Sequence, residues 1–474
     1  MKRRKFIKQT AGASAAFTIV PSFVLGGNHI APSDTLYVAS IGVGGRGNAI
    51  VNGLHNTKKV KFVALCDVDE RRAKNTFKKF PKVAQYKDFR KVYDNHLNEI
   101  DAFTVATPDH THAVISLPFM RAKKHAYVEK PLTHNIHEAR LMTEVAKEHN
   151  LVTQMGNIGS STDGMRTTQE WLDAGVIGRV YKVDCWTNRP VWPQGLKNIT
   201  DGEPIPKELD WDLWQGPAQE RPYNSAYLPF RWRGWWDYGT GGLGDMGCHI
   251  METPFRTLGL GYPYEAEASC TTVWAGDFRE ANYPSACPPS SVVRLKFDCE
   301  KHGRLDLNWY DGGIMPDLPD ELGNGETIGN WDGGTVFYGE NGILVTDCYS
   351  ENPRLLPSEK MDYFNKPEPT LVRIKGGMGG HINNWVEGIT EGVDTSSPFS
   401  YAGPLTEAVL MGNLAIKAYQ YKVLKDGKTP DGWAPYAYPG RRKLLWDGEN
   451  MTVTNYDKAN DWVTRDYRKG WEVK

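Results

Sequence analysis

The chain has 474 residues, enough for roughly two to three domains with cores of their own, and its patterning favours two. Its 56 basic and 57 acidic residues leave a formal net charge of -1, which gives no electrostatic footprint for nucleic acid or for an acidic membrane surface. Small, weakly charged partners fit this balance better. Seven cysteines (66, 185, 248, 270, 287, 299, 348) show no CxxC or metal-finger spacing, so no metal is implied, and the odd count leaves at least one thiol free or paired between chains.

Taken in chain order, residues 1–30 read as an export signal. Arg3 and Arg4 precede an apolar stretch, Ala11 to Gly27, that Pro21 and its glycines interrupt; this suits a signal segment rather than a spanning helix. Ala13-Ser14-Ala15 and Val24-Leu25-Gly26 are both possible cleavage sites. Twin-arginine export carries proteins already folded, so the expected location is periplasmic, without stable membrane insertion after export and with the cysteines reduced.

Residues 35–156 alternate strand and helix. Thr35 to Ile41 is a strand ending in Gly42-Val43-Gly44-Gly45-Arg46-Gly47; Asn48 to His55 is a helix, and Val60 to Asp67 the next strand. A helix from Glu70 to Lys79, a strand from Ala102 to Thr107, a helix from His112 to Arg121, a strand from His125 to Glu129, a helix from Ile136 to His149 and a strand from Leu151 to Met155 follow. This order predicts an α/β chain that begins with a doubly wound, parallel Rossmann sheet, with its ligand beyond the carboxyl ends of the strands.

The glycine motif gains specificity from its setting. It follows a strand, opens a helix, and has an acidic strand-end residue, Asp67, in the next strand. Gly42 permits the tight turn, Gly44 lets backbone N–H groups approach a pyrophosphate, and Gly47 allows close helix–strand packing. Asp67 would take the ribose hydroxyls and favour NAD over NADP, although Arg71 and Arg72 stand close enough to receive a 2′-phosphate. A periplasmic enzyme meets no pool of free NAD, so the cofactor should be held tightly and recycled on the same chain.

Residues 157–430 change texture. Val180–Trp186, Ala266–Val273, Ser291–Phe297, Gly303–Trp309, Val336–Gly339 and Ile343–Thr346 read as strands of a large, mainly antiparallel sheet in a C-terminal α+β domain that binds substrate. The loops Arg189–Tyr223 and Asp311–Gly334 are long enough to be substrate lids, and the tryptophans between Trp186 and Trp236 offer faces for sugar rings or serve equally as core. His381 to Gln420 reads as helices packing back toward the first domain, with His381–Trp385 placed to close the site; residues 431–474 read as an ordered wrap.

Three motifs together resemble the Gfo/Idh/MocA oxidoreductases: the glycine turn, the Thr107-Pro108 turn that runs on to His110 and His112, and Glu129-Lys130-Pro131. The resemblance covers about Thr35 to Lys422. It implies that Lys130 lies beside nicotinamide and substrate, and that Asp245 and His249, at i and i+4, supply the partner histidine and a carboxylate that orients it or holds a neighbouring hydroxyl. The expected cofactor contacts are Gly42, Gly44, Gly45, Arg46, Gly47, Asp67, Thr107, Pro108, His110, His112, Glu129, Lys130 and Asn157, with His110 and His112 reading more readily as hydrogen-bonded helix-start residues; Tyr227, Arg231, Arg233, Trp235 and Tyr238, just ahead of the Asp245 motif, are the expected sugar contacts together with His249. The expected activity is NAD-dependent oxidation of a sugar or glycoside ring hydroxyl, at C3, by a homo-oligomer. The alternatives are a redox-assisted glycoside hydrolase like the NAD-dependent α-N-acetylgalactosaminidases, which lack the lysine found here at Lys130, and a non-catalytic sugar-binding protein.

Overall fold

A computed structural model describes residues 35–430 and 432–473, so the export signal expected in 1–30 lies outside the described residues. The first part comprises β1 (Leu36–Ile41), α1 (Arg46–Asn56), β2 (Val60–Cys66), α2 (Glu70–Lys79), β3 (Ala84–Tyr86), α3 (Phe89–His96), β4 (Ala102–Val105), α4 (His112–Arg121), β5 (His125–Val128), α5 (Ile136–Glu148) and β6 (Thr153–Met155). The six strands form one parallel sheet in the order β3-β2-β1-β4-β5-β6. Chain direction across the sheet reverses between β1 and β4, which opens a crevice at their carboxyl ends.

Local chemistry agrees with these boundaries. The Asp69 carboxylate accepts the Arg71 N–H at the start of α2, and the Asn135 side chain accepts the Glu138 N–H at the start of α5, each satisfying a donor the helix itself leaves open. β4 is buried along its whole length, as a strand covered by helices on both faces must be. Pattern reading locates five of the six strands but not β3 or α3: three half-exposed edge residues carry too little periodicity.

The second part contains α6 (Asp163–Asp173), β7 (Val180–Thr187), α7 (Trp211–Gln215), α8 (Gly241–Ile250), α9 (Glu252–Thr257), β8 (Glu265–Cys270), β9 (Trp274–Gly276), β10 (Arg279–Glu280), β11 (Ser291–Cys299), β12 (Gly303–Tyr310), β13 (Gly333–Gly339), β14 (Gly342–Asp347), β15 (Arg354–Leu356), α10 (Gly377–Glu391), α11 (Phe399–Gln420), β16 (Val423–Leu424), β17 (Tyr436–Ala437), β18 (Leu444–Asp447) and β19 (Thr452–Val453). Nine of these strands make one sheet, β15-β14-β13-β7-β12-β11-β8-β18-β19, antiparallel except for the β7/β12 pair. The tail thus contributes two strands, Leu444 pairing with Ala266.

Two helices join the sheets. α10 returns to the Rossmann sheet, where Trp385 and Val386 pack with Leu36, Val38 and Leu54, and the Trp385 ring lies 5.7 Å from that of Tyr127. His381 is buried, one ring nitrogen 2.8 Å from the Met155 carbonyl oxygen and the other 2.7 Å from Ser161 Oγ. The segment His381–Trp385 is therefore a core support and does not close the site. α11 packs between α5 and β8, and the Arg140 guanidinium donates to both Glu407 carboxylate oxygens at 2.9 and 2.8 Å. α8 lies against α11 at glycine contacts: a Cβ on Gly247 would stand 2.9 Å from Val409, and one on Gly412 2.6 Å from Leu243.

The aromatic loop has a structural job. Trp211, Trp214, Tyr223, Tyr227, Trp232, Trp235 and Tyr238 form a second core, with Trp211 and Trp214 stacked at 4.9 Å. Among the described residues, no helix is long and apolar enough to cross a membrane.

Candidate active site

A cleft of about 450 Å³ occupies the β1/β4 crevice and continues toward α8. At one end is the glycine turn. Gly42 has φ +77°, and a Cβ there would stand 2.7 Å from the Ala106 carbonyl carbon and oxygen. A Cβ on Gly47 would fall 1.7 Å from the Gly42 carbonyl oxygen, which no side chain tolerates. Gly44 N–H donates to Asp67 Oδ2 at 2.9 Å, placing the β2 carboxylate against the loop.

These residues fit a dinucleotide: the turn leaves room only for backbone, α1 presents its N-terminus, and an acidic group stands where ribose hydroxyls would need an acceptor. Burial pushes the Asp67 carboxyl up to about 6, against the pull of N–H donors from Asp69 and Gly44. The folded state thus holds this proton more tightly than the unfolded chain, so Asp67 withdraws stability as pH rises through about 6. An ionised carboxylate at Asp67 could accept two ribose hydroxyls, whereas the protonated acid could not. Dinucleotide affinity is therefore expected to fall as pH drops through about 6, and Asp67→Asn to bind more weakly and lose that pH dependence. Titration of NADH fluorescence from about pH 5 to pH 8 reads both effects, and a flat wild-type profile would contradict them.

At the other end the second domain meets the ends of β4 and β5. Lys130 Nζ donates to the Asp245 carbonyl oxygen at 2.6 Å and to its Oδ1 at 2.9 Å, and Arg233 Nε donates to the same Oδ1 at 3.1 Å. Burial by itself pushes the Asp245 carboxyl up; the ammonium of Lys130 and the guanidinium of Arg233 outweigh it and hold the group well below the usual carboxylate range. Arg233 also lies 4.3 Å from the rings of Phe230 and Trp232. His249 lines the cleft one helical turn beyond Asp245, and burial followed by the Lys130 charge drives its pKa well below that of ordinary histidine, leaving a neutral imidazole at pH 7. Its Nδ1 has no hydrogen-bond partner among the described residues, and the Tyr349 ring meets it edge to face at 4.8 Å.

The structure brings many expected residues together and displaces others. Gly42, Gly44, Gly45, Arg46, Asp67, Thr107, Pro108, Glu129, Lys130, Arg233 and His249 line the cleft, with Arg46 bonded to Glu129 at 2.9 Å. Gly47 supports the turn from behind. His110 and His112 are buried helix-start residues whose ring nitrogens meet main-chain carbonyls: His110 those of Tyr238 and Trp214, His112 those of Pro131 and Thr107. Asn157 is fully buried behind the cleft rather than on it. Tyr227, Trp235 and Tyr238 belong to the aromatic core and Arg231 faces solvent, so Arg233 and His249 alone of the expected sugar contacts line the cleft. Asp245 is expected to orient His249 or to hold a neighbouring substrate hydroxyl; its carboxylate engages Lys130 and Arg233 rather than the His249 ring. Of the two expected lids, the first contributes Leu213 and Trp214 to the lining, and the second contributes nothing among the described residues.

Sequence reasoning missed Tyr349, Phe89, Phe230 and Trp471, all on the cleft. Tyr349 follows a strand end with no motif around it; its φ of 64° is a tertiary imposition that no local pattern announces. Phe230 and Trp232 had a compositional signal in the aromatic loop, but the neighbouring aromatics carried the same signal into the core.

Fold and cleft together define a dinucleotide-binding protein of Rossmann type, with a large second sheet that brings an acidic–basic cluster to the crevice. Residues 36–157 match the NAD-binding Rossmann fold of the Gfo/Idh/MocA oxidoreductase family and residues 168–260 its C-terminal alpha/beta domain. It is 31% identical over 170 residues to a glycosyl hydrolase family 109 protein of Shewanella pealeana, covering 31% of this chain and 37% of that one. It is 30% identical over 93 residues to a levoglucosan dehydrogenase of Pseudarthrobacter phenanthrenivorans, covering 20% of this chain and 23% of that one. The matches therefore span little more than a third of these relatives at most. The WlbA dehydrogenase of Bordetella pertussis, solved with NADH and UDP-GlcNAcA, shares the fold with a TM-score of 0.55 at 14% identity, over 81% of this chain and 96% of that one.

Proposed function

We propose that this chain is an exported, NAD(H)-dependent oxidoreductase that acts on a ring hydroxyl of a sugar or glycoside, at C3, and recycles its cofactor without releasing it. The observation that carries the reading is the placement of Lys130, Asp245, Arg233 and neutral His249 at the end of the cleft that begins with the dinucleotide turn. Gly42, Gly44, Asp67 and Arg46 would hold the cofactor. When bound, NAD supplies a two-electron acceptor for the hydrogen on the carbinol carbon.

The residues of this chain handle the proton and the geometry. His249, kept neutral by burial and by the neighbouring ammonium, accepts the proton of the substrate hydroxyl. Lys130 donates a hydrogen bond to the same oxygen from a position fixed by Asp245, and Arg233 holds a neighbouring hydroxyl against Phe230 and Trp232. Asp245 acts through Lys130 as a positioning residue.

The likeness to a family 109 glycosyl hydrolase supports a second reading, in which oxidation is followed by elimination of the glycosidic oxygen, addition of water and return of the hydride. The two differ in one bond. Oxidation at C3 acidifies the hydrogen at C2, so elimination in D₂O leaves deuterium at C2 of the released sugar, whereas oxidation alone cleaves nothing. With aryl glycosides in D₂O the expected product is an intact keto-glycoside that accumulates when an external hydride acceptor is supplied. Free aglycone with C2 deuterium and no net keto-sugar would establish the hydrolase. A bound cofactor that never changes redox state across a broad panel of sugars would point to a binding protein.

A further inference from the structure

The Asp67 end of the cleft has walls from outside the Rossmann sheet. Leu213 and Trp214 of α7 line it, as does Trp471, together with Phe89 at the start of α3. Main-chain bonds tie α7 to this edge: Asp210 N–H donates to the Val68 carbonyl at 2.9 Å, and Glu70 N–H donates to that of Glu208 at 3.2 Å. The C-terminal segment is tied to α7 in turn. Arg468 donates to Asp212 Oδ1 at 2.5 Å and to the Asp212 carbonyl at 2.9 Å, and its N–H donates to the Pro217 carbonyl at 3.1 Å.

The same segment is anchored on the Rossmann side. Arg465 donates to the His110 carbonyl at 2.5 Å and to Glu138 on α5 at 3.0 Å, and the Tyr467 hydroxyl donates to Glu138 at 2.9 Å. Beyond these anchors Trp471, only 8% exposed, lies 6.1 Å from the Phe89 ring with the Arg90 guanidinium 4.7 Å from its indole. A segment more than 300 positions from the glycine turn in sequence therefore crosses the end of the cleft where an adenosine seated at Asp67 would lie.

We propose that Arg465–Trp471 is a strap that completes the adenosine subsite, and that its closure makes NAD(H) a resident group of the protein. This rests on the cleft being the NAD site. An aromatic wall adds sequence-independent stacking on a base, and a wall that must be displaced before the ligand leaves acts mainly on the release rate. Trp471 is a positioning residue here: it holds the adenosine end and touches none of the reacting atoms.

The test uses full-length protein loaded with NADH and chased with excess NAD⁺, release being read by loss of bound NADH fluorescence. Wild type is expected to release NADH far more slowly than it turns over. Trp471→Ala and Arg468→Gln are expected to speed release about 10- to 100-fold, with weaker binding of AMP as a separate readout, while Trp471→Phe restores slow release. Should Trp471→Ala fold poorly by its melting temperature, Arg468→Gln carries the test, since it unhooks the strap without emptying a core position. Unchanged release from a folded variant overturns the strap alone. Failure of the wild type to bind NADH at all overturns the cofactor reading and the strap with it.

Discussion

Lys130→Ala and His249→Ala are each expected to lower the rate of sugar-driven reduction of bound NAD by on the order of 10² to 10⁴, the range for a lost proton-transfer group, while cofactor stays bound. The expectation comes from geometry. Lys130 Nζ sits 2.9 Å from Asp245 Oδ1, and His249 lines the cleft with a neutral ring beside Tyr349, its Nδ1 buried and without a partner among the described residues. The two residues share one substrate oxygen, so the double variant should be little worse than either single one. Asp245→Asn should behave differently, because it leaves the Lys130 and Arg233 charges facing each other without their carboxylate. Breaking a buried pair costs about 3 to 5 kcal/mol when burial is complete, and both side chains here are nearly so. A fall in melting temperature together with lost activity is expected for Asp245→Asn, and lost activity alone for His249→Ala. Single-turnover reduction, followed at the NADH absorbance, separates these outcomes. Near-normal rates in both Lys130→Ala and His249→Ala would remove the pair from the mechanism.

Gly47→Ala should abolish dinucleotide binding and weaken the fold at once. Its added methyl would stand 1.7 Å from the Gly42 carbonyl oxygen, and the obstacle is main chain that cannot rotate away. Relief requires α1 to move off β1, which opens the turn that presents the backbone donors. A cost of a few kcal/mol follows from overpacking at a site with no slack. Gly44→Ala meets Arg72 Cβ at 2.7 Å, so its relief is a shift of α2 and its cost should be smaller. Calorimetric melting and NADH titration of both variants check the order; a Gly47→Ala protein that binds NADH normally would mean the turn differs from the one described.

The dinucleotide end of the site was legible because its chemistry is local. Gly42, Gly44, Gly47 and Asp67 lie within 26 residues and are dictated by one strand, one turn and one helix start. Lys130 and the Asp245–His249 pair were legible through short motifs, but the partner of Asp245 was not. A sequence places Asp245 and His249 on one helical face, while the contact with Lys130 spans 115 residues and exists only once α8 is docked beneath β5. The aromatic loop misled for the same reason: Tyr227, Trp235 and Tyr238 are as suited to a sugar as to a core, and burial against Trp211 and Trp214 decided it.

By itself the sequence determined a parallel nucleotide-binding sheet, its glycine turn and acidic strand end, the strands of a second sheet and a short list of proton-transfer candidates, because periodicity and backbone freedom act over a few neighbouring residues. Only the tertiary structure decided that Asp245 serves Lys130 and Arg233, that Tyr349 faces His249, and that Trp471 lines the cleft beside Phe89. Each of those depends on which distant surfaces come into contact, and contact between segments hundreds of residues apart is settled by packing of the whole chain rather than by any local preference.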